Sequence, residues 1–228
     1  MGPMQNVPVG EVELSVFDQG EGPAIVLLHG FPEIAYSWRH VVGPLVDAGY
    51  RVVAPDLRGF GGSSKPDAIE AYGIETLVSD VLGLCDALDL GPPTIVGHDW
   101  GAVIAWSVAV MHPDRLENLV SLNVPYRGWC SAFPTTQVIR DQLSERFGYV
   151  LMFQDPGVAE AWFASDPAGR LRAFYVGGAA DPEFLSDEEF QVFLDAFVAG
   201  GISGPVNLYR NIDANAAATA HLADAPVT

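Results

Sequence analysis

Apolar and polar residues alternate along Val12-Glu13-Leu14-Ser15-Val16-Phe17, the period of a strand with one buried face. Gln19-Gly20-Glu21-Gly22-Pro23 then turns the chain. Ala24-Ile25-Val26-Leu27-Leu28 is aliphatic without interruption and stops at His29-Gly30-Phe31-Pro32, which predicts a central parallel strand covered on both faces. Glu33 to Ala48 reads as helical with a kink at Gly43-Pro44, and Tyr50 to Ala54 as the next strand. Ile74, Leu77, Val78, Val81, Leu84 and Leu88 recur at helical spacing until Gly91-Pro92-Pro93 stops the helix. A short strand at Thr94 to Val96 follows, then a helix from Ala102 to Met111 that is apolar on nearly all sides, then a strand at Glu117 to Asn123. Four strand-helix alternations imply right-handed crossovers and a mostly parallel, doubly wound sheet. In such sheets ligands bind beyond the C-terminal ends of the strands.

After Pro125 the pattern changes: aromatics become frequent and strand-like alternation disappears. Ser186-Asp187-Glu188-Glu189 matches a capping box, with Leu185 and Phe190 spaced for the accompanying hydrophobic staple. Phe190, Phe193, Leu194, Phe197 and Val198 continue one helical face up to Gly200-Gly201. The expected organisation is an α/β core over residues 1–125, a helical cap over 126–220, and a return towards the core over 221–228.

The chain has 228 residues, 49% of them hydrophobic, enough to bury a substantial core. Twenty-nine acidic against 11 basic residues give a formal charge of −18, which argues against nucleic acid and anionic membranes as partners and suits a neutral substrate. Cys85 and Cys130 do not make a disulfide framework, and Met-Gly-Pro-Met-Gln-Asn has neither a basic start nor an apolar run. A cytoplasmic protein without a leader or membrane span is expected. The loop Asp56 to Ser64 is glycine-rich but lacks the Lys-Ser/Thr ending of a phosphate cradle. Without a metal-ligand cluster or nucleotide fingerprint, neither a metal nor a cofactor is expected.

The chemistry concentrates at Gly97-His98-Asp99-Trp100-Gly101, where an apolar strand runs into Gly-x-Asp-x-Gly and then a helix. This is the pattern of a nucleophile elbow, a turn so tight that its middle residue takes strained torsions and projects above the sheet. Asp99 is that residue. Unlike a serine, a carboxylate is already charged at neutral pH, and amide N–H groups at the N-terminus of the following helix are expected to keep it so.

Four segments together resemble the soluble epoxide hydrolases, members of the α/β-hydrolase superfamily. They are His29-Gly30-Phe31-Pro32-Glu33, the elbow, Tyr149 to Gly157, and Asn207-Leu208-Tyr209-Arg210-Asn211. The resemblance implies an α/β-hydrolase fold with an inserted helical cap, and attack by Asp99 on an epoxide carbon to give an enzyme ester. It also implies Tyr149 and Tyr209 as acids for the departing oxygen, and the backbone N–H groups of Phe31 and Trp100 as an oxyanion hole. Pro32 has no N–H, so the donor in its loop is Phe31. His29, Pro32, Trp38, Met152 and Phe153 are the expected pocket residues beside them.

The family takes its water-activating acid and histidine from segments following the cap, and none of His29, His40, His98, His112 and His221 matches that base. A complementing C-terminal segment or a homodimer is therefore an expected partner beside epoxide and water, since Leu119, Val120 and Leu122 would otherwise form an open apolar edge. The competing readings are a haloalkane or haloacetate dehalogenase, sharing the aspartyl ester, and a catalytically incomplete binding module.

Overall fold

In a computed structural model of the protein, which describes residues 1–126, 134–176, 184–222 and 225, six strands form one sheet in the order β1-β2-β4-β3-β5-β6. They are β1 (Gln5–Val9), β2 (Val12–Gln19), β3 (Ala24–Leu28), β4 (Arg51–Pro55), β5 (Thr94–His98) and β6 (Asn118–Leu122). The last four run parallel to one another, while β1 and β2 are antiparallel additions at one side.

Side-chain alternation divides the core between the two faces of this sheet. Ile25, Leu27, Val52 and Ala54 face α1 (Arg39–Asp47) and the 3-10 turn Ala35–Trp38 before it. Val26, Leu28, Val53 and Ile95 belong to the larger cluster with α2 (Ile74–Ala87) and α3 (Trp100–Met111). Ten of the twelve residues of α3 are buried, which explains why its sequence has no polar face. The glycine-rich loop folds back on β2, with Asp56 N–H on the Ser15 carbonyl, Ser64 N–H on that of Glu13, and Ser15 N–H on the Ser63 hydroxyl. Arg58 in this loop forms a buried two-pronged pair with Asp80 of α2, at 2.6 and 2.7 Å.

The later part of the described chain is helical. A turn, α4 (Thr136–Val138), runs through a π segment, Ile139–Leu143, into α5 (Ser144–Phe153). Then come α6 (Val158–Ser165), α7 (Pro167–Val176), α8 (Asp187–Gly200), α9 (Ser203–Arg210) and α10 (Ile212–Ala218). The capping box at Ser186 and Glu189 forms in both directions, and Leu185 and Phe190 share one buried cluster. Cys130 lies outside the described residues. Strand β6 pairs with β5 on one side, and its Val120 and Leu122 are exposed.

Candidate active site

Asp99 sits between β5 and α3 with φ 51° and ψ −118°, left-handed torsions that a non-glycine residue adopts only when its surroundings impose them. Its carbonyl accepts the first helical bonds of α3, from Ala102 at 2.9 Å and Val103 at 3.1 Å. The flanking glycines are required by contact. A Cβ on Gly97 would lie 2.3 Å from the Gly101 carbonyl oxygen, and one on Gly101 would lie 2.1 Å from that of Leu28. The elbow is thus pressed against itself and against the end of β3.

That pressing brings two backbone donors to the Asp99 carboxylate. Phe31 N–H reaches Oδ1 at 3.0 Å, and Trp100 N–H also donates to the carboxylate. As expected from the sequence, these amide donors favour the charged form of the acid. Burial pushes the Asp99 carboxyl above its usual range, and the two amides and His98 only partly oppose it.

Over this carboxylate lie two phenols from the helical region. Tyr149 comes from α5 and Tyr209 from α9; their ring centroids are 5.9 Å apart and their hydroxyls are in hydrogen-bonding contact. Burial, and then the Asp99 charge, pushes Tyr149 up to about 12 and Tyr209 well above the ordinary phenol range. Phe153 fills the space between, with its centroid 5.5 Å from Tyr149 and 5.1 Å from Tyr209. Phe31 packs edge-on to Tyr209 and Phe153, and Trp100 edge-on to Tyr209. Met152, half-buried on α5, borders the same cluster.

Two expected pocket residues stand elsewhere. Trp38 packs on the opposite face of the sheet with Leu27 and Val42, because the helix after β3 crosses to that side. His29 is fully buried beneath its loop. Its Nε2 accepts from Leu57 N–H at 2.9 Å and its Nδ1 lies 2.8 Å from the Gly30 carbonyl, while burial lowers its pKa. A neutral imidazole bracing two loops is the result. Pro32 is half-buried, and its carbonyl accepts from the Tyr175 hydroxyl of α7 at 3.0 Å. Tyr175, in the helical region too, therefore fastens the loop that carries Phe31.

Sequence reasoning passed over one pair. Glu33 Oε2 accepts from Gly30 N–H at 3.1 Å and lies 3.0 Å from His98 Nδ1. That hydrogen bond raises the His98 pKa; burial pushes Glu33 up, but His98 and the Gly30 amide outweigh it and leave the carboxyl below its usual range. The available signal was positional, since the two residues lie at the C-terminal ends of the neighbouring parallel strands β3 and β5. Among the described residues no group of three or more His, Cys, Asp or Glu could hold a metal ion.

With this geometry in view, residues 23–177 match the α/β hydrolase fold family. Epoxide hydrolase A of Mycobacterium tuberculosis is 40% identical over 95% of this chain and 76% of that protein. The chain belongs to the epoxide hydrolases of the α/β-hydrolase superfamily. This epoxide hydrolase family member superposes on the crystal structure of epoxide hydrolase A from Mycobacterium thermoresistibile with a TM-score of 0.92 at 38% identity, over 100% of this chain and 80% of that one. Bifunctional epoxide hydrolase 2 of Sus scrofa is 34% identical over 90% of this chain, which spans 40% of that longer protein.

Proposed function

We propose that the protein opens epoxides through an ester on Asp99. The observation that carries this reading is a carboxylate held by the Phe31 and Trp100 amides on one side and faced by the Tyr149–Tyr209 phenol pair on the other. A carboxylate oxygen of Asp99 attacks a ring carbon as the carbon–oxygen bond of the epoxide breaks, and a phenol gives its proton to the departing oxygen. The oxygen held by Phe31 becomes the ester carbonyl, already placed where the second step develops negative charge. Water then adds to that carbonyl and releases the diol.

A proton donor at this position favours an epoxide over an alkyl halide, because a departing halide needs no proton. The second step needs a base, and four of the histidines are poorly suited to that role. His29 is occupied on both nitrogens, and His98 is held towards imidazolium by Glu33. His40 pairs with Glu189, and His221 reaches the Ala218 carbonyl at the surface. A base from a segment docked beyond the exposed edge of β6 completes the reaction in this reading.

Styrene oxide tests it. Intact-mass and peptide analysis should show one adduct per chain on Asp99, none in Asp99→Asn, and labelling about 100-fold slower in Tyr149→Phe or Tyr209→Phe. Labelling at another residue, or at an undiminished rate in both phenylalanine variants, would sink the mechanism.

A further inference from the structure

The motif around Tyr209 contains more than the phenol, and its neighbours are used in a specific way. The Arg210 side chain is 5% exposed, and all five of its N–H donors are engaged. Nε donates to the Phe153 carbonyl at 3.0 Å and Nη2 to that of Asp155 at 3.4 Å, both at the C-terminal end of α5. The remaining N–H groups reach Glu160 of α6 at 2.9 and 3.0 Å and Asn207 Oδ1 at 2.9 Å. Glu160 is itself fixed, accepting from Gly157 N–H at 2.9 Å. A second bridge runs the other way. Gln154, directly after α5, donates from Nε2 to the Val150 carbonyl at 2.9 Å and to the Tyr209 carbonyl at 3.0 Å.

These bonds join the backbone on either side of the two phenols. One of them ends on Tyr209 itself, and another on the residue next to Tyr149. A cation on the unpaired carbonyls at a helix C-terminus stabilises that end of the helix, but such capping needs neither a buried five-bond guanidinium nor a glutamine spanning two helices. What the two bridges fix in common is the offset of α5 against α9, which is the offset between the hydroxyls of Tyr149 and Tyr209. We propose that Arg210 and Gln154 are positioning residues for the two-phenol acid, setting the spacing at which both hydroxyls meet one departing oxygen. The proposal rests on the reading of Tyr149 and Tyr209 as acids given above.

Lysine at position 210 keeps the charge but cannot reproduce the planar fork, and leucine at 154 removes both amide bonds without adding charge. The test measures the first-order rate of Asp99 labelling by saturating styrene oxide, with thermal unfolding recorded for every variant. Arg210→Lys and Gln154→Leu should each slow labelling about tenfold at saturation, because small misplacements of reacting groups are costly. In the Tyr149→Phe background, where only one phenol remains to be placed, the same substitutions should change the rate less than twofold.

An equal factor in both backgrounds, or no loss in either, overturns the proposal while leaving the acid assignment intact. If instead Tyr149→Phe and Tyr209→Phe label as fast as the parent, the acid assignment itself has failed, and the proposal falls with it. Should Arg210→Lys not fold, Gln154→Leu decides between these outcomes alone, since a part-buried amide replaced by a leucine of similar size leaves the Glu160 pair untouched.

Discussion

At the scale of single residues, Asp99 pits burial against hydrogen bonding, and the outcome sets two pH dependences of known sign. Its pKa is raised above 3.8 by burial, so the labelling rate should fall as pH drops through that raised value, at a higher pH than for an exposed aspartate. Tyr149 is pushed up to about 12, so the rate should stay level through alkaline pH until the phenol begins to ionise. Stability runs in the opposite sense. A carboxyl with a raised folded pKa stabilises the fold below its unfolded pKa, and that contribution is lost as pH rises through the folded value. Asp99→Asn, which keeps an acceptor for the Phe31 amide, should therefore raise the melting temperature at pH 7. The gain should narrow on acidification, as a calorimetric pH series would show. A lower melting temperature at pH 7 would mean that the amide donors, and not burial, dominate.

At the scale of elements, what could be read in the sequence was whatever depends on neighbours along the chain. The capping box of α8 is local: Ser186 Oγ accepts from Glu189 N–H and Glu189 Oε2 from Ser186 N–H. Ser186→Ala should cost about 1 kcal/mol, a melting-temperature loss of roughly 2–4 °C in a chain of this length. A fall beyond that would mean that the Arg39–Glu189 pair, at 2.6 Å, depends on the cap as well. Strand β1 is not legible because Pro8 interrupts Gln5–Val9, and proline reads as a strand breaker. As the outermost strand β1 tolerates it, and Val7 and Val9 still turn inward. Helices α5 to α7 are hidden for a different reason. They are short, α5 is kinked at Phe147, and α6 starts from a left-handed Gly157. Their faces are defined by aromatic contacts between helices, not by a period within any one of them. The elbow is legible because Gly97 and Gly101 are sequence neighbours of Asp99; the Glu33–His98 pair joins residues 65 positions apart and leaves no local trace.

At the scale of the whole molecule, the sheet presents β6 as a flank whose Val120 and Leu122 are 43% and 42% exposed. An exposed apolar edge strand templates pairing with other chains, whereas a net charge of −18 opposes it. Self-association should therefore grow as salt screens that charge, and Val120→Lys should return the protein to monomer. Its stability should change by no more than about 0.5 kcal/mol. Light scattering across a salt series checks this, and association unaffected by the lysine would place the contact elsewhere. The arrangement of the phenols has an effect at this scale too. Asp99 and the Phe31 and Trp100 amides sit just beyond the C-terminal ends of β5 and β3, while Tyr149 and Tyr209 ride on helices joined to each other through Arg210 and Gln154. In the reading proposed above, displacing those helices would carry both phenols away from the Asp99 carboxylate as a unit. In that reading, acid assistance to ring opening therefore depends on α5 and α9 being seated together against the elbow.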